Sequence, residues 1–278
     1  MMPHATGLTD VSAWTGTWPF DLNGPVSLAR LAERLARVGI AEALVSPLDA
    51  VLAPDPMPAN RALLEAIVAT GDLPVRVRPA PVVNPVLATW LDDLAGLVDR
   101  AKGAIPAVRL LPTWHGWGPG TPGASECLGL VSSIDMMPII QARMVDERAL
   151  PPGAAQAAFD VIAMADWLAS MPDVPVVLAG LYRNELPAIA GLGHVAVDLS
   201  FVESEDTLAT VLDVLPRRRV LLGTHAPLFE PLAGVAKLPR EGPRAPEGRL
   251  IGTASARMWI DDHWMPMPDW IDDPWMSE

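Results

Sequence analysis

A single cysteine, Cys127, in a chain of 278 residues excludes an intramolecular disulfide and any CxxC metal clip. Its setting, Gly-Ala-Ser-Glu-Cys-Leu-Gly-Leu, reads as that of a small buried hydrophobe. Basic residues are also scarce. Twenty Lys and Arg against 33 Asp and Glu leave a net charge of −13, which argues against a nucleic-acid surface. No apolar run approaches the ~20 residues of a membrane span. Met1 to Thr9 lacks a basic segment followed by an apolar one, so a cytoplasmic protein is expected, with neither membrane nor nucleic acid as partner. Metal and nucleophile signatures are missing as well: there is no HxH, HExxH, P-loop or GxSxG. Asp261-Asp262-His263 is a charged cluster too unspecific to stand for a metal site.

What is present is a rhythm. Apolar strand segments at 8–14, 41–46, 75–83, 105–111, 137–142, 174–179, 194–199 and 219–223 alternate with helical segments. The helices are expected at 28–38, 60–70, 88–102, 126–134, 154–171, 184–190 and 206–215, with a last one at 250–259. Ser27 is a good N-cap for the first helix, and Gly39 closes it. Eight such units with short loops predict a (β/α)8 TIM barrel rather than a doubly wound sheet. The barrel is expected over residues 1–258, followed by a Trp-rich acidic tail over 259–278. That tail holds four tryptophans, three prolines and six acids, with no Lys or Arg. Disordered segments are poor in large aromatics, so Trp264, Trp270 and Trp275 are expected to dock on the barrel or on a second subunit.

In a parallel barrel the C-terminal strand ends form the active-site rim. Residues placed there are Trp14, Asp49, Asn84, Arg109, Gln141, Arg143, Asp198 and, after the eighth strand, His225; Trp18 lies in the first loop. A guanidinium in or just after an apolar strand must be paired or bind an anion. Arg109 and Arg143 therefore read either as a clamp for a substrate carboxylate or as structural partners of Asp146, Asp198 or Glu147. His225, in Gly-Thr-His-Ala-Pro, reads as a general acid or base, or as a turn residue bonded to the backbone. His115, in Trp-His-Gly-Trp, is the second proton-transfer candidate, or a packed loop histidine. His194 begins a strand on the opposite rim and reads as structural.

Several segments together resemble a known family. Asp10-Val11-Ser12-Ala13-Trp14 with Trp18-Pro19-Phe20, Val108-Arg109-Leu110-Leu111-Pro112, and Val220 to Pro227 are similar to the amidohydrolase superfamily. The likeness is to the amidohydrolase-2 type, which includes decarboxylases related to aminocarboxymuconate-semialdehyde decarboxylase. It spans Asp10 to about Met258, with Gly252 to Arg257 a worn form of the family's closing helix. The resemblance implies a barrel with a metal held by an HxH on the first strand, histidines on the fifth and sixth strands, and an aspartate after the eighth. Here those positions read Ser12 and Trp14, Gln141, Val177 to Gly180, and His225. The chain is similar to a branch with the same losses, in which a segment like Gln141 to Arg148 recurs. No cofactor is therefore expected, Zn2+ included.

The expected function is hydrolysis of a lactone or amide in a small carboxylate-bearing molecule, without a metal. Arg109 would anchor the substrate, and His225 or His115 would move the proton. Arg143, Gln141, Asp49, Asn84, Trp14, Trp18 and Asp198 would line the site. Decarboxylation on the same barrel is the alternative, as is a retired barrel serving as a binding or assembly subunit. A homo-oligomer, or a hetero-oligomer with a related barrel, is expected as the partner state.

Overall fold

A computed structural model describes residues 7–20, 24–101, 103–146, 150 and 158–262. The expectations for Trp264, Trp270, Trp275, Glu147 and Arg148 lie outside the described residues. Eight strands run parallel: β1 (Leu8–Thr15), β2 (Ile40–Pro47), β3 (Arg76–Pro79), β4 (Ala107–Leu110), β5 (Met137–Gln141), β6 (Val176–Ala179), β7 (Val195–Asp198) and β8 (Val220–Leu221). They form a three-stranded ladder, β1-β2-β3, and a five-stranded one, β4-β5-β6-β7-β8.

Two hydrogen-bonded seams close these ladders into a ring. Just past β3, Arg109 donates its backbone N–H to Pro81 at 2.8 Å and accepts from Val83 at 3.0 Å. On the other side, Val11 donates to the Leu222 carbonyl at 2.9 Å and Trp14 to that of Ala226 at 2.7 Å. The architecture is the barrel the strand count predicts.

Helices cover the outside. They are α1 (Leu28–Arg37), α2 (Met57–Thr70), α3 (Trp90–Ala101), the single turn α4 (Pro112–His115), α5 (Ala124–Ser133), α6 (Val161–Ala169), α7 (Thr207–Leu212) and α8 (Pro231–Ala236). Ser27 caps α1 as expected, its side chain accepting from the Arg30 N–H at 3.3 Å. Of the helix expected at 154–171, residues 154–157 lie outside the described residues, and α6 occupies Val161–Ala169 of the rest. It starts at Val161 because the Asp160 carboxylate accepts the Ala163 N–H at 3.0 Å and so fixes the first turn. The segment expected at 184–190 is a 3-10 turn over Arg183–Ile189 with Pro187 inside it. The last helix runs longer than 250–259: α9 (Ala245–Leu250) continues through a π turn at Ile251–Ser255 into α10 (Ala256–Ile260). Among the described residues, no helix is long and apolar enough to cross a membrane.

Alternation along the strands sorts side chains by layer. Val108, Leu110, Ile140, Leu178, Val197 and Leu222 join the large shell between strands and helices. Val11, Leu44, Ala80, Ala107, Ile139 and Leu221 form an apolar floor inside the barrel. Trp259 of α10 packs into that floor from below, fully buried, and donates its indole N–H to the Arg218 carbonyl at 2.6 Å. Replacing Trp259 by Ala removes the largest side chain of the plug, and a loss of about 3–5 kcal/mol of unfolding free energy is expected in urea titrations. A loss under about 1 kcal/mol would mean that the floor closes without it.

Candidate functional site

Above the apolar floor the barrel interior turns polar. Ser46, Arg109, Gln141 and Asp198 stand two positions after the floor residues Leu44, Ala107, Ile139 and Ala196, and all four are buried. Arg109 is the hub of this belt and is fully buried. Its Nε donates to Ser46 Oγ at 2.9 Å, Nη1 to Gln141 Oε1 at 2.6 Å, and Nη2 to the Val11 carbonyl at 2.9 Å. One side chain thus ties β1, β2, β4 and β5. Burial lowers its pKa to about 10, opposed by the charges of Asp198 and Asp10, so the guanidinium remains a cation at neutral pH.

Asp198 accepts from the Gly180 N–H and from Ser200 Oγ, both at 2.9 Å through Oδ1. Its Oδ2 has no partner among the described residues, and neither has the buried hydroxyl of Ser12. Oδ2 lies against the Cα of Gly223: a Cβ built there would stand 2.2 Å from it. Glycine is required at 223 by that approach.

Asp10 was not among the expected site residues, yet it closes the β8–β1 seam. Register slips by one residue between Asp10 and Ala13, a bulge that frees backbone N–H groups. The Asp10 carboxylate accepts from Ser12 N at 2.9 Å within the bulge and, across the seam, from Thr224 N at 3.0 Å and the Thr224 hydroxyl. Burial, only partly offset by these donors, raises its pKa to about 6. The signal available in the sequence was an acid inside an otherwise apolar strand, followed two positions later by serine.

An apolar and aromatic roof covers the belt: Trp14, Trp18, Leu48, Val51, Leu111 and Met144. Trp14 is fully buried, with the Arg109 guanidinium 4.6 Å from its ring centroid. Its indole N–H donates to His225 Nδ1 at 3.3 Å. His225 Nε2 lies 2.7 Å from the Met144 carbonyl and donates to it, which fixes the tautomer. His225 is fully buried between Trp14, Phe201 and Phe229, with φ at 57°. Burial drives its pKa down to about 3, the Met144 bond opposing and Arg109 adding to the shift. Of the two readings of His225, the geometry matches a backbone-bonded turn residue, neutral and enclosed.

Arg143 is likewise occupied. It makes a bidentate pair with Glu185, both contacts at 2.7 Å, donates to the Gly180 carbonyl, and lies 3.9 Å over the Tyr182 ring. Glu185 sits on the 3-10 turn after β6, and nothing in its spacing marked it as the partner. Gln141 spends its other end on the Arg143 carbonyl at 2.8 Å. Asp49 is exposed and caps the first loop through the Thr17 N–H at 3.1 Å, and Asn84 accepts from Val86 N at 3.2 Å. Trp18 packs edge-on against Phe20 and Trp114. His194 bonds the Leu168 carbonyl at 3.1 Å, away from the mouth.

His115 differs from the other candidates. It ends α4, beyond Leu111 of the roof, and is only partly buried. Its Nε2 donates to the Ala50 carbonyl at 3.1 Å, leaving Nδ1 as the unprotonated nitrogen, with no partner among the described residues. Burial lowers its pKa, so this imidazole is neutral at pH 7. Gly116 follows at φ 67°, a left-handed turn that closes α4 through its N–H to Pro112.

The donor set does not fit a divalent cation. Among the described residues no three His, Cys, Asp or Glu side chains converge. The belt already holds a cation in Arg109, and the Trp14 ring lies directly over it. His225, at the position where the resemblance places a ligand aspartate, spends both nitrogens on protein groups.

Two predictions follow the geometry. His225 is neutral when folded and protonates readily when unfolded, so its contribution is present above pH 6.5 and lost as pH falls toward 3. The stability gap between wild type and His225→Asn should narrow by about 2–3 kcal/mol between pH 7.5 and 4.5 in urea titrations. A gap independent of pH would show an imidazole that protonates in place. Gly223→Ala should cost about 1–3 kcal/mol by the same measurement, since the Asp198 carboxylate must move; an unchanged midpoint would contradict the close approach.

No family model matches the chain, and no curated protein matches it. Solved structures do. The chain is similar to 2,6-dihydroxybenzoate decarboxylase from Rhizobium at 15% identity and TM-score 0.67, over 91% of this chain and 98% of that one. It is similar to 5-carboxyvanillate decarboxylase from Novosphingobium aromaticivorans, a structure with bound manganese, at 13% identity and TM-score 0.68, over 91% and 96%. It is also similar to amidohydrolase 2 from Bifidobacterium longum subsp. infantis at 16% identity and TM-score 0.59, over 91% and 100%. Across nine-tenths of its length, the chain has the α/β barrel fold of these decarboxylase and amidohydrolase structures.

Proposed function

We propose that the protein is an enzyme of the hydrolase or decarboxylase type, acting on a small carboxylate-bearing molecule at the barrel mouth, with His115 as its proton-transfer residue. The observation that carries this reading is the state of His115: one nitrogen fixed to the Ala50 carbonyl, the other unprotonated, buried and without a protein partner among the described residues. A general base needs that arrangement, a set tautomer with a free lone pair. The fold adds support, since similar structures include 2,6-dihydroxybenzoate decarboxylase and 5-carboxyvanillate decarboxylase. Nδ1 would take a proton from water attacking a lactone or amide and pass it to the leaving alkoxide or amine; in decarboxylation it would first take a proton from water, releasing hydroxide, and then deliver it to the carbon from which CO2 departs. Arg109 serves this mouth from below, holding the belt and, through it, Trp14 in place, while His225 supports the same ring from the side. Asp49, exposed after β2, and Trp114, partly buried against Trp18, would form the substrate-facing set.

The retired-barrel reading has its own observation. Trp14, Met144 and Leu111 roof the polar belt, and the Arg109 donors are spent on protein acceptors. A barrel that only binds or assembles has the same filled mouth.

The test is a panel of hydroxybenzoates, lactones and amides assayed by product formation. Wild type should turn over at least one class, and His115→Ala should lower kcat/KM by about 10²–10⁴-fold. The acid limb of the pH profile should fall below pH 6.5, because the imidazole pKa is lowered. Turnover undiminished in His115→Ala would remove His115 from the chemistry. No turnover across the panel would favour the retired barrel.

A further inference from the structure

Three loops meet beside His115, and together they expose an aromatic corner. Trp18, after β1, is nearly buried, whereas Phe20 is 40% exposed and Trp114 of α4 partly exposed. Phe20 and Trp114 each stand nearly perpendicular to the Trp18 ring, at 79° and 76°, with centroids 5.4 Å from it. The loop after β2 brings a carboxylate to the same place. Asp49 is exposed, and its Oδ2 accepts the Thr17 N–H at 3.1 Å, one residue from Trp18. Gly16, at φ 107°, makes room for it, since a Cβ there would collide with that oxygen. Asp49 Oδ1 makes no hydrogen bond or ion pair among the described residues. The same β2 loop is tied to α4 through the Ala50 carbonyl and His115 Nε2.

We infer that this corner binds a quaternary or alkylated ammonium group, and that the substrate carries one. The second half rests on the reaction proposed above; the binding itself does not. Aromatic rings attract a cation through their faces, and rings set at right angles surround it from more than one side. Asp49 adds the countercharge at the edge of the corner. An anion finds less there. Arg109 and Arg143, the two groups expected to clamp a carboxylate, are spent on protein acceptors. His115, next to Trp114, is neutral because burial lowers its pKa. The chain's net charge of −13 favours the approach of a cation from further away. Packing accounts for Trp18 but gives no role to an exposed Phe20 or to Asp49 Oδ1. Trp114 directly precedes His115, so an ammonium held at the corner keeps the rest of the molecule close to the proposed base.

The test titrates the full-length chain with choline and with 3,3-dimethylbutan-1-ol, a neutral molecule of the same shape, by NMR. Choline should bind about five- to tenfold more tightly. Asp49→Asn keeps an acceptor for Thr17 and removes the charge; Phe20→Leu keeps an apolar side chain and removes the ring. Each should weaken choline about threefold or more and leave the alcohol unchanged. Equal affinity for the two molecules would overturn the inference, as would no choline binding. So would a choline affinity that neither variant alters, which would place the cation elsewhere on an acidic surface. Competition links the corner to the chemistry. Choline should inhibit competitively whichever panel member is turned over, and binding without inhibition would overturn the substrate class. If no panel member is turned over, the proposed enzyme fails, and the titration alone decides whether the corner binds ammonium.

Discussion

The charge of Arg109 constrains the barrel interior more than any other group. A guanidinium cannot shed its proton at neutral pH, so burying it demands acceptors on every side. Ser46, Gln141 and the Val11 carbonyl supply them, from three strands other than its own. Each supplier is held in turn. Ser46 donates to the Ala80 carbonyl at 2.6 Å, and Gln141 donates to Arg143, which is clamped by Glu185. Removing the cation would leave several buried acceptors facing one another, the situation in which buried polar networks lose most.

This network bears on the chemistry of the mouth. A barrel that carries out hydrolysis with a metal keeps polar ligands converging on one open point. Here the convergent groups point at Arg109, and the roof of Trp14, Leu111 and Met144 separates them from the opening. In the proposed reading the proton-transfer residue therefore lies further out, in the loop after β4. His115 is there because α4 begins directly after the strand and lasts one turn, which leaves its imidazole partly buried beyond Leu111 of the roof. His225 has taken the complementary role. Its two nitrogens join Trp14 to the Met144 carbonyl, so an ionisable ring acts as a neutral spacer.

The strand rhythm was legible because strands covered on both faces are apolar throughout, and eight such runs admit few architectures. The outward limits were less so. The run at 219–223 predicts a longer last strand, but only Val220–Leu221 pairs regularly, since Gly223 yields its space to Asp198 and Thr224 turns to Asp10. That Arg109 must be paired or bind an anion was readable from a charge in an apolar strand. Its actual partners were not, because they lie 32, 63 and 98 positions away and none carries a charge. Arg143 illustrates the same limit: nearby acids in sequence drew attention, whereas Glu185 reaches it across 42 positions. His225 and His115 were indistinguishable as letters. What separates them is enclosure, a property of Trp14 on β1 and of Phe201 and Phe229 arriving from two different loops.

The β8–β1 seam has a consequence for synthesis. Thr224 and Asp10 meet across 214 positions, so the first strand emerges from the ribosome long before its closing neighbour exists. At about 5–20 residues per second the wait is on the order of 10–40 s, during which one edge of β1 has no strand beside it. An unpaired edge invites pairing with the wrong chain, and a charge placed within it is a known deterrent. Asp10 supplies that charge while it is exposed, where its carboxyl ionises normally. The same carboxylate later receives the Thr224 and Ser12 donors and becomes the clasp. One side chain thus guards the nascent edge and then locks the finished ring.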